Sequence, residues 1–274
     1  MYSTKQIGSK YSSGFKTYLT KEGKIISPFH DVPCFDGDYV NCINEIPRFE
    51  HGKFEINKNE IFNPIMQDVK KGKIRFIDNI FPFFGYPFNY GAIPQTWEDP
   101  TSLDDGCKTH GDNDPVDVID IGTRRKSIGE VYKAKILGAL ALIDDNEADW
   151  KIIAIDVEDP VSGELNNIQD VEKHFPHLLK YVFRWFRDYK IPTGKPQNSF
   201  AFDGKYQEAE LAKDVVKKAH ESWKRLVKEG HQDICIENGT VKESGAYSTT
   251  PKKIAGEEMP DSELPDEIYH FSFV

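Results

Sequence analysis

Three carboxylates fall within the six residues Asp112-Asn113-Asp114-Pro115-Val116-Asp117. Pro115 fixes its own φ and pushes Asp114 away from the helical region. The following run, Val116-Asp117-Val118-Ile119-Asp120-Ile121, alternates apolar and acidic residues with the period of a strand. Asp117 therefore leaves the strand on one face, and Asp112 and Asp114 can bend toward it from the preceding turn. Unit charges 4 Å apart repel by roughly 4 kcal/mol at an effective dielectric of 20, so gathered carboxylates need a cation, a proton or distance. A solvated acidic turn is the alternative, and the pattern alone does not separate the two. A calcium loop fits poorly, because the turn glycine is missing at the sixth position and Thr123 replaces Glu at the twelfth.

The elements that must carry this turn are mostly strands. Tyr39–Ile46 reads as a strand that stops at Pro47. Lys53-Phe54-Glu55-Ile56 and Lys73-Ile74-Arg75-Phe76-Ile77 alternate charged and apolar residues, so Lys53 and Glu55 share one face and Arg75 stands opposite Ile74 and Phe76. Phe81 to Trp97 is an aromatic loop whose prolines and glycines exclude a regular helix. Its rings can simply cover a core, or the Tyr86 and Tyr90 hydroxyls can stand in a cleft as donors to an anion. Glu130 to Ile143 predicts one long strand, or two broken at Gly138. An acidic hairpin turn over Asp144–Asp149 leads into a returning strand, Trp150–Val157. Helical spacing appears after Pro176, over Leu178, Leu179, Val182, Phe183 and Phe186, and again from about Glu208 to Glu229 with Gly230 as its stop. His174 and His177 stand three apart, but Pro176 between them spoils a metal pair.

The 274 residues suffice for one sizeable domain, with 38% hydrophobic and 12% aromatic content. The formal charge of -10 argues against a general nucleic-acid binder. From His231 onward nine acids face three lysines, a net of -6, which leaves -4 for the body and room there for an anion site. We expect residues 1–230 to form one domain with the extension 1–35 packed on it. Residues 231–274 are expected as an acidic, weakly ordered tail that returns to the body through Tyr269–Phe273. The four cysteines show no metal or C-x-x-C spacing and read as reduced thiols. With no signal-like or membrane-spanning run, the expected location is cytoplasmic. No P-loop, G-x-G-x-x-G or G-x-S-x-G occurs.

Taken together, these motifs resemble the soluble family I inorganic pyrophosphatases of eukaryotic type. Asp112-Asn113-Asp114-Pro115-Val116-Asp117-Val118 matches the family signature at every position. Glu45–Arg48, Lys53–Glu55, Lys73–Phe76, Gly85-Tyr86, Asn89–Ala92, Pro94–Asp99, Asp149–Lys151 and Tyr189–Pro192 occur in the family's order. The resemblance covers roughly residues 15 to 230. It implies a mainly β (α+β) fold, a five-stranded OB-like closed β-barrel flanked by two α-helices with extended terminal segments, and a charged cleft at one barrel end. It also implies a homodimer, to which Phe49 contributes.

The activity implied is Mg²⁺-dependent hydrolysis of inorganic pyrophosphate to two phosphates, by direct attack of a water or hydroxide held between ions. Such an activity drives biosynthetic reactions that release pyrophosphate and maintains phosphate balance. By resemblance, Asp112, Asp117 and Asp149 hold the first activating Mg²⁺. Asp117 bridges to a second, and Asp114 orients or deprotonates the water. Glu55, Asp144 and Asp149 hold the Mg²⁺ that arrives with substrate, and Glu45 lies at the edge of the metal cluster. Lys53 and Tyr90 contact the attacked phosphoryl group, Arg75, Tyr189 and Lys190 clamp the departing phosphate, and Tyr86 and Lys151 support. Mn²⁺ or Zn²⁺ would substitute, and Ca²⁺ would inhibit. The rivals are a non-catalytic scaffold that has kept a pyrophosphatase-like shape, a broader two-metal phosphatase or nuclease, and calcium storage by the acidic turns.

Overall fold

The computed structural model describes residues 1–248 and 254–274 of the chain. Five strands form its centre: β1 (Tyr39–Ile46), β2 (Asn89–Ala92), β3 (Asp117–Asp120), β4 (Val131–Asp144) and β5 (Glu147–Asp156). Their pairings run in a ring. β5 lies parallel to β3, β3 antiparallel to β2, β2 to β1, β1 to β4, and β4 antiparallel to β5. A ring of this kind leaves no unpaired edge between its members. It requires close approach at β1 and β2, where a Cβ on Gly91 would fall 1.9 Å from the Ile43 carbonyl oxygen. The long strand anticipated around Gly138 is continuous, with a bulge between Ile136 and Gly138.

Alternation along these strands sends side chains to two apolar layers. Ile43, Ile119 and Ile153 belong to one, which includes Trp185 and Phe186 of α2 (Leu178–Asp188). Val118, Ile152 and Ala154 belong to the other, with Ala212 and Val216 of α3 (Ala209–Glu229). Among the described residues there are three α-helices rather than two. The additional one, α1 (Ile168–His174), is capped by the Asn167 side chain, which accepts from the Asp170 N–H at 2.8 Å. His174 ends α1 and His177 caps α2 in a left-handed conformation, so they do not form a pair on one helix. The fold is thus mainly β with few helices.

A second sheet, ordered Tyr2–Ile7, Lys16–Lys21, Ile65–Gln67, Phe54–Ile56, lies outside the ring. The strand expected over Lys73–Ile77 is shorter. Only Lys73–Ile74 is strand, in a hairpin with Val69–Lys70, and Arg75 follows it, donating its N–H to the Asp68 carbonyl at 2.9 Å.

The described part of 231–274, expected as weakly ordered, is instead tied to the body. Phe271–Ser272 pairs in parallel with Asn79–Ile80, and Ile268 is buried. The buried Asp31 carboxylate accepts from the Gly239 N–H at 2.9 Å and from Thr240 Oγ1 at 2.6 Å. These ties are a two-residue strand pairing, isolated apolar anchors and polar contacts, which leave no periodic trace in a sequence. No helix among the described residues is long and apolar enough to cross a membrane, and the four cysteines are free thiols.

Candidate active site

The register of the ring decides which charges meet. Parallel pairing sets Asp117 opposite Lys151, and antiparallel pairing sets Ala92 opposite Asp117, two residues from Tyr90. Lys151 therefore reaches both the Asp117 carboxylate and Asp149 Oδ1, the latter at 2.5 Å, and donates to the Tyr90 hydroxyl at 3.0 Å. Tyr90 in turn donates to Asp117. The hairpin between β4 and β5 carries Asp144 to the same end, where Lys190, just past α2, pairs with it.

Opposite these strands lies the outer sheet. Lys53 sits 2.7 Å from Glu55 and 3.4 Å from Asp68, while Arg75 pairs with Asp68 at 2.5 Å. Between the two sides is a cleft of about 600 Å³. It is lined by Glu45, Lys53, Glu55, Arg75, Tyr86, Tyr90, Asp112, Asp114, Asp117, Asp144, Asp149, Lys151, Tyr189 and Lys190, so every site residue named from sequence comes to one place. The rings of the aromatic loop cover the core and reach the cleft. Tyr86 packs against Trp185, ring centroids 4.9 Å apart, and also faces the cleft.

The acidic turn is held rigidly from below. The Asp114 N–H donates to Asp112 Oδ1 at 2.9 Å, and Asn113 adopts a left-handed conformation with its side chain accepting from Trp97 Nε1 at 2.9 Å. Two backbone bonds tie the turn to Glu98: the Glu98 N–H donates to the Asp114 carbonyl at 2.8 Å, and the Asn113 N–H to the Glu98 carbonyl at 2.9 Å.

Glu98 is the residue that sequence reasoning passed over, although it stands within the Pro94–Asp99 motif. Its carboxylate lies with those of Asp112 and Asp149, one oxygen from each within 4.8 Å of the others. Glu98 Oε1 accepts from the Trp150 N–H at 3.1 Å, but Oε2 is buried with no hydrogen-bond partner. An orphaned buried oxygen among three carboxylates fits a divalent cation, and an all-oxygen donor set suits a hard ion.

The protonation behaviour agrees. Burial raises Asp149 to about 7 against the pull of Lys151, with Asp117 adding to the rise. Burial and Asp112 hold Glu98 well above the usual carboxylate range, and burial and Asp149 do the same to Asp112. Burial also raises Glu45, with Asp117 adding. Burial alone would lower the Lys53 ammonium, but Glu55, Tyr86 and Asp68 together outweigh it and the group stays charged. Perturbation of this kind in a cleft marks a functional site.

Fold and cleft together define a polyanion-handling protein: an acidic floor able to bind divalent cations beneath a rim of Lys, Arg and Tyr donors. Comparison with known proteins narrows the class. The family model for inorganic pyrophosphatase matches residues 42–224. An inorganic pyrophosphatase of Encephalitozoon cuniculi is 48% identical over 100% of this chain and 99% of its own length, and one of Candida glabrata is 46% identical over 97% and 94%. The inorganic pyrophosphatase structure from Schistosoma japonicum superposes with a TM-score of 0.96 at 40% identity, covering 100% of both chains. The chain belongs to the inorganic pyrophosphatase family, in its eukaryotic form.

Proposed function

We propose that this enzyme hydrolyses inorganic pyrophosphate to two phosphates with Mg²⁺. The observation that carries the reading is the single cleft in which the Asp112, Asp117 and Asp149 carboxylates face the Lys53, Arg75 and Lys190 cations. Asp112, Asp117 and Asp149, with Glu98 beside them and Glu55, Asp144 and Glu45 toward the opening, would hold the ions. When bound, such ions draw charge off phosphoryl oxygens and lower the pKa of water.

The chain's own groups account for the rest. Lys53 and Tyr90 orient the phosphoryl group under attack. Asp114, which the Lys58 ammonium grips beside the Asp117 and Glu55 carboxylates, takes the proton of the attacking water. The water oxygen forms the new P–O bond as the bridging P–O bond breaks. Arg75, Tyr189 and Lys190 then neutralise the charge left on the departing phosphate. Lys151 and Tyr86 keep Asp117, Asp149 and Tyr90 in place. The five-stranded ring is read as an OB-like barrel that carries this site at one end.

The same reading makes the protein a cytoplasmic homodimer that removes the pyrophosphate released by biosynthesis. Phe49, 57% exposed, is the proposed contact, and sedimentation at the monomer mass would overturn that part. The test of activity is phosphate release from pyrophosphate with Mg²⁺, with EDTA, and with added Ca²⁺. Fast release that requires Mg²⁺ and falls with Ca²⁺ is expected. Asp114→Asn should lose most turnover while keeping the fold, and near-normal turnover in that variant removes Asp114 from its role.

A further inference from the structure

We infer that Lys58, which stands outside the cleft, is a positioning residue for Asp114, and that the C-terminal segment fixes Lys58 in turn. The inference rests on the role given to Asp114 above. Lys58 Nζ lies 2.6 Å from Asp114 Oδ1 and donates to the Asn113 carbonyl at 3.0 Å. One ammonium thus grips both the side chain of the base and the backbone of its turn. Lys58 is not among the residues lining the cleft, so it acts through Asp114 and not on the substrate.

The need for it follows from the surroundings. The Asp112–Asp114 turn is fixed by Trp97 and Glu98, but the Asp114 carboxylate is 48% exposed and faces Glu55 and Asp117, which repel it. Among the described residues Lys58 is the cation paired with Asp114. Without it, no ion-pair partner among the described residues would keep that carboxylate directed at one point.

Lys58 itself is held at its backbone. The loop after Phe54–Ile56 is closed by Asn57, whose Oδ1 accepts from the Glu60 N–H at 2.9 Å. From the far end of the chain, the Cys235 N–H donates to the Lys58 carbonyl at 2.7 Å. The Asn63 side chain donates to both the Lys58 and Cys235 carbonyls, at 3.2 and 3.0 Å. The segment after Gly230, given no task by the motifs, thereby supports the residue that supports the base. A pair as exposed as Lys58–Asp114 contributes little to stability, so its loss is read in turnover and not in folding.

The test uses the full chain with saturating Mg²⁺ and pyrophosphate. Lys58→Met is expected to lower kcat by about tenfold or more, the usual scale for losing a partner that orients a catalytic group. KM and the melting temperature should stay near their original values. Lys58→Arg should restore most of the loss, because it keeps the charge and the donors. In an Asp114→Asn background, Lys58→Met should cause no further loss, since the two residues act as one unit. Normal kcat in Lys58→Met, a loss confined to KM, or effects that multiply in the double variant would each overturn the inference. Should Lys58→Met fold poorly, Lys58→Gln provides the same comparison. An inactive Asp114→Asn beside a fully active Lys58→Met refutes only the positioning role, whereas an active Asp114→Asn refutes the base on which it rests.

Discussion

Replacing Lys151 by Met tests whether this ammonium is the internal counterion of the acidic floor. Its side chain is 3% exposed, in contact with Asp117 and Tyr90 and 2.5 Å from Asp149. Met keeps the length and apolar stem but removes the charge, so two carboxylates lose their partner while Glu98 and Asp112 stay close to Asp149. Breaking a buried pair in this way costs about 3–5 kcal/mol. At roughly 2–4 °C per kcal/mol for a protein of this size, the melting temperature in EDTA should fall by roughly 6–20 °C. The sign with pH follows from Asp149, raised to about 7. At about pH 5.5 it already carries a proton in both proteins and the missing ammonium matters less. As pH rises through about 7 it ionises in the original protein but stays protonated longer in the variant, so the cost grows toward about pH 8. A divalent cation should return part of the loss by occupying the same charge. The assay is a thermal melt of both proteins at the two pH values, with EDTA and with Mg²⁺. A fall below about 1 kcal/mol in EDTA, or one of equal size in all four conditions, would refute the reasoning.

Glu98→Gln should weaken divalent-cation binding by about 10–100-fold while the protein still melts cooperatively, as titration calorimetry would reveal; unchanged affinity would mean that the orphaned oxygen has no part in the site. Cation affinity of the original protein should rise with pH through about 7, because the protons that burial holds on Asp149, Asp112 and Glu98 compete with the ion. The same raised groups make the cation-free protein most stable at low pH and cost it stability as pH climbs through about 7, so its melting temperature should fall over the interval in which affinity grows. Gly91→Ala should prevent folding to an active state, since the added carbon would meet the Ile43 carbonyl oxygen at 1.9 Å; soluble, active protein would show that β1 and β2 can separate.

Much of this site was legible because strand alternation and family-like motifs both pointed at the same charges. Asp117, Lys53, Glu55 and Arg75 stood out by their faces, and the Asp144–Asp149 hairpin by its turn residues. What escaped was what only distant pairing creates. Nothing local to Lys151 announces that β5 will lie parallel to β3, and nothing in Trp97-Glu98 announces an unpartnered oxygen beneath Asp112. Helix α1 is only seven residues long, with Ile168 and Val171 its only buried positions, too few to establish a period. The segment after Gly230 carries no sustained periodicity, and its ties to Asp31, Lys58 and Asn79, polar partners far away in the chain, leave none.

The pairing of Phe271–Ser272 with Asn79–Ile80 also sets an order of events during protein synthesis. Some 190 residues separate the partners, which at ribosomal speed is roughly 10–40 s of translation. All five ring strands have been made by Asp156, so the ring can close on a chain still being extended. Asn79, whose Nδ2 donates to the Ile268 and His270 carbonyls, must wait for those residues, and the bond from the Cys235 N–H to the Lys58 carbonyl for Cys235. A nascent chain therefore passes through a stage that has its acidic floor but not its final fastening, and a messenger truncated near its end would yield a protein arrested there.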